Sequence, residues 1–540
     1  MTLMQEFDVL KTSLVGQNPK VLENYKAMLE LCGELKNNLR LSTLQGQEKY
    51  VERHQKRGKL LARDRVEMLL DQDSPFLELM PLAGFEQEDM TLGGSIVAGL
   101  GIVSGVLCLI NANVPTQKGG ALNEISLLKA KRLDEIAFEN RLPILYLTES
   151  AGADLPQQAK IFNYGGSAFR EITRRSAAGI PSLSIVFGSS TAGGAYIPGM
   201  SDYIIMVKNQ AKTYLAGPPL VKMAINEVSD DESLGGADMH SRRSGLCDFL
   251  AQDEVQAIKK ARQIVASFNW PKLQMQSEVQ EPLYPAEDLL KIVSADVRKP
   301  YDVTEVIARL VDGSKFLEFK PLYGETLVTG WAHLYGNPIG ILANNGVLFS
   351  PAANKGAQFI QLCNARKIPL LFLQNITGFM VGQQAEEEGI IKNGAKLINA
   401  VANSSVPALT IMIGASYGAG NYGMCGRAYA PRFLFSWPNA KLAVMGEDQL
   451  VGVMEIIQQE KAAKTSLSAG KIFDMAKGKM AKEVLRKRIG HESSAYYATS
   501  RTWDDGIIDP RDTRAVLGIC LTAIMQEKKD NKSSFGIFRM

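Results

Sequence analysis

The chain has 540 residues, of which 46% are hydrophobic. Because a single hydrophobic core stops growing near about 250–300 residues, this length predicts two domains. The formal net charge is only +3, so the overall field is too weak to attract nucleic acid, and no partner of that kind is expected. The six cysteines form no CxxC pair and have no zinc-ligand spacing, which predicts reduced thiols and no bound metal.

The beginning of the chain shows no targeting or membrane segment. Residues 1–17 mix Glu6 and Asp8 with apolar residues, which is not the pattern of a signal or transit peptide. No uncharged apolar run reaches the about 18 residues that a membrane-spanning helix needs. We therefore expect a cytoplasmic protein without a membrane partner. The charged segment that follows, residues 18–70, predicts a helical arm.

Two later stretches of the chain repeat each other at a fixed spacing. Residues 180–188 (IPSLSIVFG) match residues 406–414 (VPALTIMIG), 226 positions further on. Residues 142–147 match residues 368–373 at the same offset. The segments further upstream match at an offset of 231, and they are residues 97–113 and 328–344. This regular spacing indicates an internal duplication with fusion.

Each copy predicts a pair of strands, a helix, a proline-led strand, a second helix and a second such strand. The first helices are expected over residues 127–140 and 357–366. Short apolar runs that alternate with helices imply parallel strands joined by crossover helices, so each half is expected to be a layered α/β domain. The polar, proline-bearing stretch around residue 285 gives predicted domains of residues 1–285 and 286–540. Residues 455–526 favour helices.

A run of small residues ends the second strand of each copy, GSSTAGGAY in residues 188–196 and GASYGAGNY in residues 414–422. Where a strand leads through a glycine-rich turn into a helix, the backbone N–H groups at the N-terminus of the helix have no partner. These groups attract negative charge. The pattern predicts an oxyanion hole in each half. Tight helix packing would explain one such turn, but the duplication favours function. Nucleotide binding is disfavoured, because no GxxxxGK[ST] motif occurs.

Conventional acid–base candidates are few. The four histidines lie outside both turns, at His54, His240, His333 and His491. No HExxH motif is present, so zinc proteases are disfavoured. The chemistry is therefore expected to rely on backbone donors.

Distinctive blocks of sequence lie between about residue 40 and about residue 520. In the first half they are residues 57–65 (RGKLLARDR), 191–202, 216–222 (AGPPLVK) and 234–241. In the second half they are residues 344–346, 355–356, 374–382 (QNITGFMVG), 418–429 and 503–510 (WDDGIIDP). These blocks resemble the carboxyltransferase (β) subunits of biotin-dependent acyl-CoA carboxylases, and the second-half blocks resemble the methylcrotonyl-CoA and geranyl-CoA branch.

The resemblance implies a fold, a cofactor and partners. The fold would be two tandem crotonase-like (ClpP/crotonase) domains of ββα units. The substrate site would lie between the first half of one subunit and the second half of another, in a homo-oligomer that is usually a hexamer. Since the chain has no biotin-attachment motif and no ATP-binding signature, biotin would be carried by a biotin carboxylase/biotin carrier α subunit. The other ligand would be an acyl-CoA.

The resemblance also implies roles for individual residues. In the implied reaction, the first turn holds the enolate oxygen of the acyl-CoA and is matched at Gly193 and Gly194. The second turn holds the ureido oxyanion of biotin and is matched at Gly420 and Asn421. The expected CoA contacts are Lys118, Gly119, Gly120, Ala192 and Lys355. The expected biotin contacts are Gly378, Phe379, Ala419 and Tyr422.

The substrate is argued from the residue after the second-turn tyrosine. This residue is Gly423, where the propionyl/acetyl branch carries an acidic residue, so a branched enoyl-CoA such as 3-methylcrotonyl-CoA is favoured. Residues 121–126 depart from the methylcrotonyl pattern. Geranyl-CoA, propionyl-CoA and acetyl-CoA are the alternative substrates, and a biotin-dependent decarboxylase subunit is the alternative direction. A crotonase-type hydratase, with Glu acids beside one oxyanion hole, and a CoA-binding scaffold are the alternative functions.

Overall fold

The computed structural model describes residues 7–14, 18–273, 279–464, 471–526 and 537. For residue 455 and residues 458–481 it describes the backbone of the helices alone. The chain forms two compact units. The N unit contains Lys36–Met275, Ser500–Thr502 and Ile519–Met540, and the C unit contains Met1–Leu35, Gln276–Thr499 and Trp503–Gly518. The start of the chain therefore belongs to the unit that is built mainly from the second half, while the predicted domain limits at residues 285 and 286 stay a prediction.

The N unit is built on an eight-stranded sheet. Its strands are β1 (Phe76–Glu78), β2 (Ile96–Val103), β3 (Val106–Asn113), β4 (Ile144–Ser150), β5 (Ser182–Thr191), β6 (Tyr203–Val207), β7 (Lys212–Tyr214) and β8 (Phe249–Ala251). Their order is β1-β2-β3-β4-β5-β6-β8, and β7 pairs with the end of β5. The first three strands are antiparallel and the others run parallel, as a strand pair followed by crossover helices predicts.

The predicted helical arm forms three helices, and further helices connect the strands. In chain order they are α1 (Pro19–Thr43), α2 (Glu48–Lys56), α3 (Ala62–Leu69), α4 (Glu124–Glu139), α5 (Gln158–Ala177), α6 (Tyr196–Met200), α7 (Pro218–Ile225), α8 (Asp231–Gly235), α9 (Ala237–Met239) and α10 (Glu254–Ala266). Helix α4 begins three residues before its predicted start because Asn123 caps it, accepting a hydrogen bond from the N–H of Ser126.

The C unit repeats the arrangement. Its strands are β9 (Leu317–Glu318), β10 (Leu327–Leu334), β11 (Asn337–Asn344), β12 (Leu370–Ile376), β13 (Ala408–Tyr417), β14 (Phe433–Ser436) and β15 (Lys441–Ala443). Their order is β14-β13-β12-β11-β10-β9, and β15 pairs with the end of β13. Strands β9 to β11 are antiparallel and the others run parallel.

The later helices lie before, between and after the strands of the C unit, and the last four follow its final strand, β15. They are α11 (Leu289–Ile292), α12 (Val303–Ala308), α13 (Ser350–Ala365), α14 (Gln383–Glu387), α15 (Ile390–Ala402), α16 (Gly418–Gly423), α17 (Glu447–Lys464), α18 (Lys471–Glu492), α19 (Ala495–Ser500) and α20 (Thr513–Met525). Helix α13 begins seven residues before its predicted start. Pro351 lies in its first turn, where proline is favoured because its backbone nitrogen needs no hydrogen bond there. None of the helices described is both long and apolar enough to cross a bilayer.

The duplication extends to the irregularities of the two sheets. Strands β4 and β5 pair Ser150 with Ser190 after a shift in register, and β12 and β13 pair Ile376 with Ser416 after the same kind of shift. Both members of the second pair lie 226 positions after those of the first. Each sheet packs against its own apolar core, which includes Phe187 in the N unit. The repeat predicted from the sequence is therefore present in the structure.

Candidate active site

Two turns, at the carboxyl ends of β5 and β13, each begin with a residue in the left-handed backbone conformation. Ala192 and Gly418 are 226 positions apart, and their φ angles are +53° and +55°. A left-handed φ is natural for glycine but uncommon for alanine, and such strain tends to collect at functional sites. Ala192 leads through a short 3₁₀ turn into α6, whereas Gly418 begins α16 directly. Both turns therefore bring backbone N–H groups to the end of a parallel strand.

A loop beside each turn is duplicated as well. The backbone of Leu122 makes two hydrogen bonds around Gly152, one donated to the carbonyl of Gly152 at 2.8 Å and one accepted from the N–H of Asp154 at 2.9 Å. The backbone of Leu348 makes the equivalent bonds around Gly378, at 3.1 and 2.9 Å. Each turn therefore has a fixed neighbour with the same geometry.

The glycines of the first turn are not required by packing. A Cβ atom at Gly194 would meet nothing closer than the Oγ of Ser190, at 4.0 Å, and one at Gly193 would meet only the ring of Phe169, at 3.5 Å. Neither glycine has a left-handed φ. Since the fold would accept alanine at both positions, the missing side chains leave room for a ligand that approaches the backbone.

The second turn differs in this respect. A Cβ atom at Gly420 would lie 2.5 Å from Cγ1 of Ile376 and 3.3 Å from Cα of Gly378. Gly420 is therefore required for packing. Its lack of a side chain is weaker evidence for a bound ligand than the glycines of the first turn, which packing does not require. The predicted oxyanion residue beside it, Asn421, is buried, with 9% of its surface exposed.

Four of the five residues predicted to contact CoA lie close together in the N unit. Residues 118–120 form a turn in which all three φ angles are positive. The carbonyl of Gly119 accepts a hydrogen bond from the N–H of Ala151 at 2.9 Å. The carbonyl of Ala151 accepts one from Oγ1 of Thr191 at 3.1 Å, directly before Ala192. Lys118 is half-exposed at the edge of this turn, where its Nζ is paired with Asp154 at 3.4 Å.

Lys355, the fifth predicted CoA contact, lies elsewhere. Only 1% of its surface is exposed, and its Nζ donates to the backbone carbonyl of Lys320 at 2.9 Å. Burial lowers the pKa of Lys355, although the carboxylate of Glu318 acts in the opposite direction. Lys129, 226 positions earlier, is also buried and donates to three backbone carbonyls. The CoA contact of Lys355 stays a prediction, and this geometry favours a structural role.

The four residues predicted to contact biotin surround the second turn. Ala419 and Tyr422 are exposed on α16, and the ring of Tyr422 stacks on that of Tyr429 with centroids 5.7 Å apart. The ring of Phe379 packs 3.3 Å from the position that a Cβ on Gly423 would take. A Cβ at Gly378, which has a φ of +135°, would meet no atom within 4 Å, so the surface beside the turn is open.

A cleft of about 220 Å³ opens beside the same turn. Thr377, Tyr417, Lys441 and Glu447 are among the residues that line it. Burial, with a contribution from Glu447, raises the pKa of Tyr417 to about 12. Tyr417 therefore keeps its proton at neutral pH and can act as a hydrogen-bond donor in the cleft.

Glu149, which the sequence did not single out, lies beside the first turn. Its carboxylate occupies the space that a side chain at Gly188 would take. It is paired with Arg65 at 2.8 Å and with Lys59. Burial acts to raise the pKa of Glu149, but the two cations outweigh it and the pKa lies below its usual value. Glu149 is therefore an ion-pair partner rather than a proton donor, which disfavours a hydratase mechanism that uses this residue as an acid.

The family is decided by comparison with known proteins. Residues 53–536 match the model of the carboxyl transferase domain. The chain belongs to this carboxyl transferase family. It is 56% identical over 497 residues to a protein named probable biotin-dependent acyl-coenzyme A carboxylase beta2 subunit of Mycobacterium tuberculosis, covering 92% of this chain and 93% of that one. It is 49% identical over 556 residues to the probable mitochondrial methylcrotonoyl-CoA carboxylase beta chain of Drosophila melanogaster, covering 99% and 95%.

A solved structure has the same fold. The β subunit of geranyl-CoA carboxylase from P. aeruginosa superposes with a TM-score of 0.90 at 42% sequence identity, covering 99% of this carboxyltransferase chain and 100% of that one. These matches confirm the predicted class, a carboxyltransferase (β) subunit of the biotin-dependent acyl-CoA carboxylases. They also confirm the predicted fold of two tandem crotonase-like domains.

Proposed function

We propose that this carboxyltransferase moves a carboxyl group from N-carboxybiotin on a partner subunit to a branched enoyl-CoA, most simply 3-methylcrotonyl-CoA. The observation that carries the proposal is the duplicated turn, since a reaction with two developing oxyanions needs two sets of backbone donors. Relatives named methylcrotonoyl-CoA carboxylase beta chains support this substrate class.

The first turn would act on the thioester. The backbone N–H groups of Gly193 and Gly194 would donate to the thioester oxygen as it becomes an enolate oxygen, and each donor of this kind is worth about 3 kcal/mol in the transition state. The open space above Gly194 allows the carbonyl to approach. Lys118 and the turn of residues 118–120 would hold the CoA, with the lysine meeting a phosphate as a point charge.

The second turn would act on biotin. When bound, biotin supplies the carboxyl group and then a basic nitrogen that takes the proton from the acyl-CoA. The open surface beside Gly378 and the exposed Ala419 and Tyr422 fit a flat polar ring. The N–H groups of Gly420 and Asn421 would hold the ureido oxygen while it carries negative charge. The carbanion that remains after the substrate has lost its proton would then add to carbon dioxide and form the new C–C bond.

The partners follow from the same proposal. The biotin would be on a biotin carboxylase/biotin carrier α subunit, and this chain would form a homo-oligomer, with a hexamer as the expected size. Relatives named as beta subunits of biotin-dependent carboxylases support the need for a partner subunit. The alternative direction, decarboxylation, would require a different partner.

Geranyl-CoA is the second candidate substrate, favoured by the match to the geranyl-CoA carboxylase β subunit. A panel of acyl-CoA esters, tested with the assembled complex, ATP and labelled bicarbonate, distinguishes the candidates. We expect label in the product of 3-methylcrotonyl-CoA, with a kcat/KM higher than that for propionyl-CoA or acetyl-CoA. Preferential labelling of the geranyl product would establish the second candidate, and no label in any ester would contradict carboxylation.

A further inference from the structure

The second turn is held by a closed chain of buried side chains. Nδ2 of Asn421 donates to Oγ of Ser416 at 2.7 Å, and Oγ of Ser416 donates to Oε1 of Gln374 at 2.6 Å. Nε2 of Gln374 donates in turn to the backbone carbonyl of Met424 at 2.7 Å, just past the end of α16. Ser416 and Gln374 have no exposed surface. The chain therefore links the second half of α16 to β12 and β13.

The direction of each bond in this chain is fixed. A backbone carbonyl can only accept, so Gln374 must turn its NH₂ group toward Met424 and its oxygen toward Ser416. The hydroxyl of Ser416 then donates to Gln374 and accepts from Asn421. The side chain of Asn421 is consequently committed to the interior, and it fixes the position of this residue in α16. Buried networks in which every member is satisfied are rigid.

The first turn is built differently. Ser190, at the position of Ser416, donates directly to the carbonyl of Gly194 at 3.0 Å. Ala195, at the position of Asn421, has no side-chain donor, and Thr148 stands in place of Gln374. The two turns thus share a left-handed first residue, but different side chains support them.

We infer that Ser416 and Gln374 are positioning residues for the biotin half of the reaction. They act through the side chain of Asn421 to fix the direction of the N–H groups of Gly420 and Asn421. Ser190 has the corresponding role for the acyl-CoA half. This inference rests on the proposed function, and it goes further by assigning to each buried serine the substrate whose binding depends on it.

The test compares two matched variants, Ser416→Ala and Ser190→Ala, in the full chain. The reaction is carboxyl transfer from 3-methylglutaconyl-CoA to free biocytin, with a KM measured for each substrate. For Ser416→Ala we expect the KM for biocytin to rise about tenfold while the KM for the CoA ester changes less than about twofold. Ser190→Ala should show the opposite split. Both serines are fully buried, and the two variants remove the same hydroxyl group at positions that are equivalent in the repeat.

The outcomes separate this inference from the function on which it rests. Equal changes in both KM values, or no change in either, for Ser416→Ala would overturn the positioning role while transfer by the unchanged chain upheld the function. No transfer by the unchanged chain would overturn both. If Ser416→Ala does not fold, Gln374→Met, which keeps the length of the side chain but removes both hydrogen bonds, should give the same rise in the KM for biocytin.

Discussion

Gly194 separates the demands of the fold from those of the proposed reaction. A methyl group at this position has 4.0 Å of clearance, so Gly194→Ala should fold with an unchanged midpoint of thermal unfolding. The same methyl group would stand where the thioester oxygen must approach, and we expect kcat to fall about 100-fold or more. Steady-state kinetics of the assembled enzyme would measure this.

A matched control lies five residues further on. Gly199→Ala, in α6, adds the same methyl group where no atom lies within 4 Å, and it should leave kcat unchanged. Full activity of Gly194→Ala would remove this residue from the proposed oxyanion hole.

Asp504, in the C unit, predicts a dependence of stability on pH. The residue is fully buried, and Oγ of Ser436 donates to it at 2.6 Å. Burial raises the pKa of Asp504 to about 6, above the ordinary value of 3.8 for an aspartate. The folded state therefore holds this proton more tightly than the unfolded state, and the group stabilises the fold fully below pH 3.8 and progressively less as the pH rises through 6.

The variant Asp504→Asn should remove this dependence. The pKa of Asp504 differs by about two units between the folded and unfolded states, which corresponds to up to about 3 kcal/mol in the free energy of unfolding. We measure the free energy of unfolding of Asp504→Asn and of the unchanged chain by denaturant at pH 7 and at pH 4. The variant should gain more stability over the unchanged chain at pH 7 than at pH 4. An identical difference at both values would show that Asp504 does not titrate in this range.

At the scale of elements, the segment that departs from the methylcrotonyl pattern, residues 121–126, contains the N-terminal cap of α4. Oδ1 of Asn123 accepts from the N–H of Ser126 at 3.0 Å, and Oγ of Ser126 accepts from the N–H of Asn123 at 3.1 Å. Asn123→Ala should cost about 1–2 kcal/mol of stability, whereas Asn123→Asp, which keeps the acceptor, should cost less. Chemical denaturation of the two variants would check this, and equal losses would show that the cap contributes little.

The sequence predicted the elements of each half because the signals are local. Apolar runs, leading prolines and glycine-rich turns recur at an offset of 226, and the strands and both turns recur with them. The burial of Lys129 could not be predicted in this way. A lysine in an amphipathic helix is ordinarily solvated, and the carbonyls of Met80, Gly93 and Ile96 that bind it lie more than 30 residues earlier. The chain of bonds from Asn421 to Gln374 depends in the same way on strands that are distant in sequence.

For the whole molecule, length and repetition predicted two parts, but the start of the chain could not be assigned. The hydroxyls of Thr12 and Ser13 each donate to the carboxylate of Glu305 at 2.8 Å, across almost 300 residues of sequence. Such a contact leaves no local signal, because Ser and Thr are common on any surface. The predicted inclusion of the first residues with the first half was based on their order in the chain alone.

The division of labour between subunits gives the last prediction. The chain has no ATP-binding signature and no biotin-attachment motif. Alone, with ATP, labelled bicarbonate and 3-methylcrotonyl-CoA, it should fix no label, and addition of the biotin-bearing subunit should start fixation. A complex that contains Gly194→Ala should still carboxylate the biotin, seen as bicarbonate-dependent release of ADP, yet pass little label to the CoA ester. Fixation by the isolated chain would contradict the need for a partner, whereas loss of ADP release in the variant complex would show that the first turn affects more than the acyl-CoA half.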